Sequence, residues 1–474
     1  MLFNSFDFFV FFVVTSCIYF AIVHRFRWFL LLVVSCYFYM YFIPAFIVIL
    51  FVTIIIDYFA GLGIEKSLGK RKKIYLILSV ITNIGILVLF KYYNFITSNI
   101  NSYLPNESQF SLLSIVLPVG LSFHTFQAMS YTIEVYRGNQ KAEKHFGIYA
   151  LYVMFYPQLV AGPIERPQNI LHQFKEEKKL DLDRISSGLK RILYGLVKKV
   201  VVADRLAIVV DEVYANPEAY NGVAFLIGAV FFSFQIYCDF SGYSDIAIGS
   251  ARVLGFDLMK NFKQPYFSKS ITEFWSRWHI SLSTWFKDYL YIPLGGNRVS
   301  KTHLAFNLLI VFMVSGLWHG ANWTFIVWGA IHGILVVLSN MIKLDIKLPS
   351  FFSSSITFII VTIVWIFFRA ESLDVAVNYL YRMFLFTDNS YFQLSKYDIH
   401  GLPPTFISLP FWKFLLSGLL IPTLLLADYL DASGKFSILK FQNSVFSSLF
   451  YSLIIIAILV FGVFETKQFI YFQF

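Results

Sequence analysis

Charged side chains are scarce in this sequence. Of its 474 residues only 14% are Asp, Glu, Lys or Arg, whereas 58% are hydrophobic and 20% are aromatic. A water-soluble domain of this length needs far more charge to cover its surface, because charged side chains are the ones that stay exposed in folded proteins. The composition therefore argues against a soluble protein and indicates an integral membrane protein.

Cysteine is nearly absent as well. Cys17, Cys36 and Cys238 each lie in an apolar run, without the spacing of a metal site. We therefore expect neither a disulfide framework nor a bound metal, and we expect the three thiols to pack as small hydrophobic side chains. The net charge of +10 is spread over loops without a basic stripe among exposed aromatics, so we expect no nucleic-acid partner.

Long apolar runs take the place of charge. About 20 apolar residues cross a bilayer core, and lipid leaves no backbone group unpaired, which favours helices. We predict an all-α integral membrane protein with about 10–12 transmembrane helices plus re-entrant or interfacial helices. The first run does not have the pattern of a removable signal peptide, because no basic residue precedes it. The runs lie near residues 7–23, 28–56, 74–90, 111–131, 147–163, 222–238, 304–340, 354–368, 409–427 and 447–464.

The basic residues predict an orientation in the membrane. Residues 66–73 form the most basic short loop, which the positive-inside rule places in the cytoplasm. Counting spans from there puts Arg25 and Arg27 inside and the N-terminus outside the cytoplasm. It also puts residues 94–109, which contain no Lys or Arg, on the outer side.

No repeat, linker or low-complexity segment interrupts the sequence, so we predict a single domain over residues 1–474. Residues 165–205 are charged and amphipathic. They are typical of a helix on the cytoplasmic membrane surface, and equally of an ordinary solvated loop and helix. In residues 239–300, aromatic, charged and small side chains interleave, and such sequence at membrane depth is tolerated where it is buried in protein or lines a cavity.

Asp239, Ser241 and Tyr243 form a polar cluster at the end of an apolar run. A carboxylate at membrane depth requires a cationic partner. The cluster predicts either an orienting group for a histidine or part of a binding cavity, and a structural ion pair at a helix end is the alternative. Nearby cations are candidates for that partner: Arg252, Arg277 and Lys287.

Two histidines, His279 and His319, each follow a tryptophan within this apolar chain; the tryptophans are Trp278 and Trp318. An imidazole inside a membrane protein is costly unless something uses it or satisfies it. Its ordinary pKa lies near neutrality, which suits a general base. The pair therefore indicates chemistry in this block, although a single buried histidine is usually structural.

Arg277 and Lys287 flank the first histidine and are candidates for binding the phosphates of a donor such as coenzyme A. Arg277 also stands four residues after Glu273, and an ion pair of these two side chains along a helix face is the alternative. The last six residues, 469–474, contain four aromatics and no charge. We expect this hexapeptide, whose only hydroxyl is Tyr471, to insert into a groove or to anchor at the membrane interface.

Six motifs in this order resemble the bacterial branch of the membrane-bound O-acyltransferases, with the membrane subunits of alginate and peptidoglycan O-acetyltransferases as the nearest likeness. The resemblance covers about residues 115–370, the expected catalytic core, and the motif of residues 469–474. The motifs are LPVGLSF at 117–123, AGPI at 161–164, YCDFSGY at 237–243, WHISLS at 278–283, WHG at 318–320 and WIFFRA at 365–370.

This resemblance implies a ring of helices with a central funnel on each face. It implies that His319 is the catalytic histidine and His279 the second family histidine. Tyr471 resembles a C-terminal tyrosine proposed to receive the acyl group. His124 departs from the family pattern, in which tyrosine is common.

The resemblance further implies transfer of an acetyl group from cytoplasmic acetyl-coenzyme A to an extracytoplasmic polysaccharide, either an alginate-like polymer or peptidoglycan. The expected setting is the bacterial cytoplasmic (inner) membrane, with an extracytoplasmic SGNH-hydrolase-like partner protein and no permanently bound cofactor. The expected binding or orienting residues are Asp239, Ser241, Tyr243, Arg277, Trp278, Lys287 and Trp318. D-alanyl transfer to teichoic acid and a lipid-linked saccharide transporter with a histidine proton relay are the alternatives.

Overall fold

The structure is a computed structural model. It describes residues 1–160, 162–220, 222–341, 348–385, 395–396, 405–407, 409–433, 444–464 and 469–470. The α-helices are α1 Phe6–Ala21, α2 His24–Met40, α3 Ile47–Lys66, α4 Gly69–Leu87, α5 Tyr93–Asn101, α6 Leu121–Arg137, α7 Phe146–Met154, α8 Tyr156–Leu159, α9 Pro167–Ile170, α10 Leu182–Leu196, α11 Asp204–Ala215, α12 Gly222–Val253, α13 Ile271–Arg277, α14 Ile280–Phe286, α15 Lys301–His319, α16 Trp323–Met341, α17 Ser350–Arg369, α18 Leu373–Phe384, α19 Phe411–Ala432 and α20 Ser444–Phe461.

The prediction of an all-α membrane protein is confirmed. The described residues also contain three strands of two residues each, which pair antiparallel in the order β1-β2-β3. Within the described ranges, seven helical stretches are long and apolar enough to cross a bilayer, and the shorter apolar helix α1 and residues 447–461 accompany them. The strands are β1 Ser395–Lys396, β2 Thr405–Phe406 and β3 Leu409–Pro410. The seven stretches are Pro44–Lys66, Gly69–Asn101, Gly222–Val253, Lys301–His319, Trp323–Met341, Ser350–Arg369 and Phe411–Ala432.

The apolar run at 147–163 does not form one spanning helix. α7 ends at Met154, and α8 begins at Tyr156 with Pro157 in its first turn. Proline lacks a backbone donor and disfavours helical conformation in the residue before it, which explains the break. The predicted total of about 10–12 crossings therefore stays a prediction.

In the part of the chain that the structure describes, three π-helical turns interrupt otherwise regular helices, and such turns are frequent at functional sites. They comprise Val88–Tyr92, Val197–Ala203 and Lys287–Tyr291. The second joins α10 to α11, and its residues 198–203 are buried. Neither expectation for residues 165–205 describes this turn, because Lys199 is only 1% exposed.

The chain forms two compact units, residues 1–192 with 243–260, and residues 193–242 with 261–474. In the first unit, polar side chains link the apolar helices α3, α4 and α6. Asn83 donates to Asp57 Oδ2 over 2.8 Å, and His124 Nε2 lies 2.5 Å from Thr53 Oγ1. The histidine that departs from the family pattern thus contacts α3. The single-domain prediction stays a prediction.

In the second unit, α15 and α16 form a tightly packed helical hairpin. A Cβ atom on Gly316 would lie 2.1 Å from the backbone oxygen of Phe325, so only glycine permits this approach. α17 packs next to α16, and the rings of Trp328 and Trp365 stack at 5.5 Å between their centroids. This packing fixes the end of α15, where His319 lies.

Candidate active site

The first histidine follows a short, well-capped helix. Ser270 Oγ accepts the backbone N–H of Glu273 over 3.1 Å, and Oε2 of Glu273 accepts the N–H of Lys269 over 2.8 Å. These contacts satisfy donors at the start of α13, which has no earlier turn to pair with. α13 then ends at Arg277, so its length determines where His279 falls.

His279 has a left-handed backbone conformation, with φ 42° and ψ 55°. This conformation is uncommon for residues other than glycine and is found disproportionately at functional sites. Asn261 stabilises this conformation through two hydrogen bonds. Its backbone oxygen accepts from Ile280 N over 2.9 Å, and its side-chain oxygen accepts from Ser281 N over 3.3 Å. Asn261 is therefore a residue that orients His279, and the sequence reasoning missed it.

His319 is the last residue of α15 and is 3% exposed. Aromatic rings surround its imidazole: the ring centroids of Trp328 and Phe368 lie at 5.2 and 5.4 Å, and that of Trp318 at 5.0 Å. All three meet the imidazole edge to face. Apolar rings thus enclose the imidazole, and electrostatic interactions are stronger in such low-dielectric surroundings.

The structure brings the two predicted histidines together. The ring centroids of His279 and His319 lie 6.3 Å apart, and both side chains are buried. Trp318 lies beside both rings, 6.1 Å from that of His279. Because a hydrogen bond spans roughly 3 Å, two rings at this separation are able to contact one small reacting group. Trp278 is also buried, and its ring centroid lies 5.0 Å from that of Trp365.

Asp239 lies in α12 and is paired with Lys199, which the sequence reasoning did not name. Lys199 Nζ contacts Asp239 Oδ1 and also Asp204 Oδ1, the latter at 2.9 Å. The expected partners Arg252, Arg277 and Lys287 are thus not the one that the structure supplies. A signal was present in the sequence, since Lys199 is followed immediately by three valines at 200–202.

The C-terminal motif reaches this part of the second unit. Phe469 and Ile470 are buried, and Ile470 N donates to Asp239 Oδ2 over 2.7 Å. The ring of Phe469 lies 5.7 Å from that of Phe240, whose own ring lies 4.5 Å from that of His279. Tyr471 itself lies outside the described residues, so its predicted role stays a prediction.

The other predicted residues are distributed more widely. Ser241 is buried in α12. Tyr243 belongs to the first unit, where its hydroxyl accepts the backbone N–H of Phe3 over 3.3 Å. Lys287 is exposed at the start of the third π-helical turn.

Arg277 donates to Glu273 Oε1 over 2.6 Å, which is the helical pair that the sequence offered as an alternative. It also lines a cavity of about 760 Å³ together with Lys269. Aromatic side chains supply much of the remaining lining, notably Tyr266, Phe358 and Tyr429. The cavity is thus apolar with two cations among its lining residues.

Residues 144–379, which include both histidines, match the membrane-bound O-acyltransferase family. The chain is 41% identical over 410 residues to a probable alginate O-acetylase of Pseudomonas syringae pv. tomato, covering 85% of this chain and 79% of that relative. It is 36% identical over 398 residues to a peptidoglycan O-acetyltransferase of Helicobacter pylori, covering 77% and 75% respectively. A teichoic acid D-alanyltransferase of Streptococcus thermophilus is 30% identical over 237 residues, which cover 47% of this chain and 56% of the relative.

The similarities to the alginate O-acetylase and the peptidoglycan O-acetyltransferase extend over most of the chain, and the family match includes both histidines. The expectation of an acyltransferase is confirmed, as is the expectation of a multi-pass membrane protein. The chain therefore belongs to the membrane-bound O-acyltransferase family.

Proposed function

We propose that this protein is an O-acetyltransferase that uses cytoplasmic acetyl-coenzyme A to acetylate an extracytoplasmic polysaccharide. The names of the relatives support a polysaccharide acceptor, either an alginate-like polymer or peptidoglycan. The observation that carries the chemistry is the buried pair of His279 and His319, with 6.3 Å between ring centroids. The protein acts in the bacterial cytoplasmic membrane with its N-terminus outside the cytoplasm.

In the proposed reaction, His319 is the general base. Its imidazole takes the proton of the acceptor hydroxyl as that oxygen attacks the thioester carbonyl carbon. His279 donates a hydrogen bond to the developing oxyanion. The carbon–sulfur bond then breaks, and the proton held by His319 passes to the departing thiolate. The products are an acetyl ester and free coenzyme A, so no external acid or oxidant is needed.

The acceptor hydroxyl belongs to Tyr471 in this proposal. A tyrosyl ester divides one transfer across the membrane into two, which is covalent catalysis. An extracytoplasmic SGNH-hydrolase-like partner then moves the acetyl group to the polymer. The buried position of Phe469 and Ile470, close to Phe240 and His279, supports this assignment.

Transfer of a D-alanyl group is the second candidate function. It is favoured by the similarity to the teichoic acid D-alanyltransferase of Streptococcus thermophilus. That similarity covers 47% of this chain, whereas the O-acetyltransferase relatives cover 85% and 77%. We therefore propose acetyl transfer first, and a D-alanyl carrier protein is the competing donor to test.

The test is mass spectrometry of the purified protein after incubation with isotopically labelled acetyl-coenzyme A. We expect label on the C-terminal peptide of the wild type and none on His319→Ala or Tyr471→Phe. His332→Ala is the matched control, because His332 is also a fully buried histidine of the second unit. It should retain the label.

Label that persists in His319→Ala would refute the base assignment. Transfer to partner or polymer without label on the tail would refute the role of Tyr471. No transfer from acetyl-coenzyme A, but transfer from a D-alanyl carrier, would replace the donor.

A further inference from the structure

The C-terminal segment, of which the structure describes residues 461–464 and 469–470, is held at Phe461 and Val463 by the π-helical turn Val197–Ala203 and by Arg205. Val463 N donates to the backbone oxygen of Val200 over 2.9 Å. Arg205, just beyond the turn, donates through Nη2 to the backbone oxygen of Phe461. Because both contacts involve backbone atoms of the C-terminal segment, they determine which of its residues lie against the turn.

The turn reaches α12 through a second close approach. A Cβ atom on Gly242 would lie 2.7 Å from the backbone oxygen of Gly195, so glycine is required at this crossing. The crossing places Lys199 of the turn against Asp239, one helical turn before Gly242 on α12. The segment and the carboxylate are therefore both held by the same stretch of chain.

Asp239 shares a single buried cation. Two carboxylates, those of Asp204 and Asp239, contact the ammonium group of Lys199, and all three residues are at most 3% exposed. The two carboxylates thus share the ammonium group of Lys199 in a buried setting. Buried charge requires hydrogen-bond donors in addition to an ion pair. The N–H of Ile470 is such a donor, at 2.7 Å from Asp239 Oδ2.

The same contact leads to the histidine pair. Phe240 follows Asp239 in α12, and its ring meets that of Phe469 on the C-terminal segment at 5.7 Å. It also meets the ring of His279 at 4.5 Å. A shift of the segment therefore changes the packing against His279.

We infer that Asp239, held by Lys199, is a positioning residue that fixes the C-terminal segment at Ile470 beside the histidine pair. The group that Asp239 binds is the backbone N–H of Ile470, which belongs to the chain itself. The inference rests on the proposed function, which assigns the chemistry to His279 and His319. It adds a role that the sequence did not assign to Lys199, and it gives Asp239 a different role from orienting a histidine directly.

The sharpest variant is Asp239→Leu. It removes the acceptor for Ile470 N–H but leaves Lys199 and Asp204 as a balanced pair, so no lone buried charge remains to prevent folding. Hydrogen–deuterium exchange of the C-terminal peptide reports the segment directly, and steady-state kinetics report the reaction. We expect fast exchange of that peptide, kcat lower by about 10²-fold, and an unchanged KM for acetyl-coenzyme A.

Asp245→Leu is the matched control. Asp245 also lies in α12 and pairs with Arg191 of α10 at 2.9 Å. Its loss perturbs a comparable ion pair of the same helix. Slow exchange of the C-terminal peptide should be retained in this variant.

Three results would overturn the inference. Two concern the C-terminal peptide of Asp239→Leu: exchange as slow as in the wild type, or fast exchange with kcat unchanged. Fast exchange in the wild type itself would overturn it without any variant. A wild type that transfers nothing from acetyl-coenzyme A refutes the proposed donor instead, and the exchange measurement then decides alone whether Asp239 holds the segment.

Discussion

His279 has a backbone conformation that few side chains tolerate, with φ 42°. Asparagine adopts this region readily, whereas a β-branched residue is strained there by about 1–3 kcal/mol. We expect His279→Val to unfold at a lower temperature than His279→Asn, measured by tryptophan fluorescence in detergent. Both variants lack the imidazole, so their difference, compared with the same difference at a buried histidine in regular helix, reports the backbone.

The same pair of substitutions at His332 is the control, because His332 lies in regular helix inside α16. There the order should reverse, since burying the polar asparagine side chain costs more than burying a valine. Equal unfolding temperatures for His279→Val and His279→Asn would contradict the assigned strain.

Glu165 makes stability depend on pH. Burial raises its pKa from 4.5 to about 7, although its carboxylate accepts the N–H of Met259 and the amide of Asn169. The folded state therefore binds a proton that the unfolded state releases, so stability is highest below pH 4.5 and falls as pH rises to about 7. Between about pH 5 and about pH 8, we expect the unfolding temperature of Glu165→Gln to fall less than that of the wild type.

Glu176→Gln is the control for this measurement. Glu176 is exposed, and its hydrogen bond with Lys178 holds its pKa below the usual range, so it stays ionised throughout the window. Its curve should run parallel to that of the wild type. A Glu165→Gln curve that also runs parallel would show that Glu165 does not titrate in this range.

The residues found from the sequence differ from those missed in the kind of signal that they carry. His279 and His319 stand out because an imidazole is conspicuous in apolar sequence. Asn261 acts through contacts with the backbone around His279, and such contacts leave no pattern in the sequence. Lys199 follows Lys198, and the two resemble an ordinary basic pair on a surface helix.

At the scale of elements, the α15–α16 hairpin depends on close backbone approach at Gly316. Gly316→Ala places a Cβ atom 2.1 Å from Phe325 O, so the helices must separate just before His319. We expect a loss of about 1–3 kcal/mol in stability and a fall of roughly 10²-fold in acetyl transfer. Thermal unfolding and the labelled transfer assay measure the two effects.

Gly85→Ala is the matched control, because nothing lies within 4 Å of a Cβ atom at Gly85 in α4. Alanine is also the better helix former, so stability should hold or rise slightly. A Gly316→Ala protein as stable and active as Gly85→Ala would show that the hairpin does not depend on this contact.

Hydropathy predicted the long helices but not how they are interrupted. The run at 147–163 reads as one span, yet Pro157 divides it into α7 and α8. The π-helical turn Val197–Ala203 adds residues to a turn without changing the apolar character of the sequence, so periodicity does not reveal it. It is nevertheless the turn that carries Lys199 against Asp239.

At the scale of the whole molecule, composition is sufficient for the membrane class, and ordered motifs are sufficient for the family. The acceptor polymer is a different matter. The relatives themselves are named for alginate, peptidoglycan and teichoic acid. The chemistry of the buried histidine pair is compatible with any acceptor hydroxyl, so the pair does not distinguish these polymers.

Orientation in the membrane is a property of the whole molecule, and it determines which face of the protein a cytoplasmic donor meets. The helical stretch Gly69–Asn101 is long enough to cross. Lys70, at its start, should face the cytoplasm, and the exposed Asn106, beyond its end, should face outward. With the native cysteines replaced by alanine, we expect a membrane-impermeant maleimide to label Asn106→Cys in intact cells. Lys70→Cys should react only after the membrane has been permeabilised.

A cysteine at the buried Leu87 is the control and should stay unlabelled in both conditions. Labelling of both test positions from the outside would mean that the stretch Gly69–Asn101 does not cross the membrane. Labelling of Lys70→Cys alone in intact cells would show that the orientation is the opposite of the predicted one. Because coenzyme A thioesters are cytoplasmic, an inverted orientation would reverse the side from which the donor enters and would require a different entrance to the histidine pair.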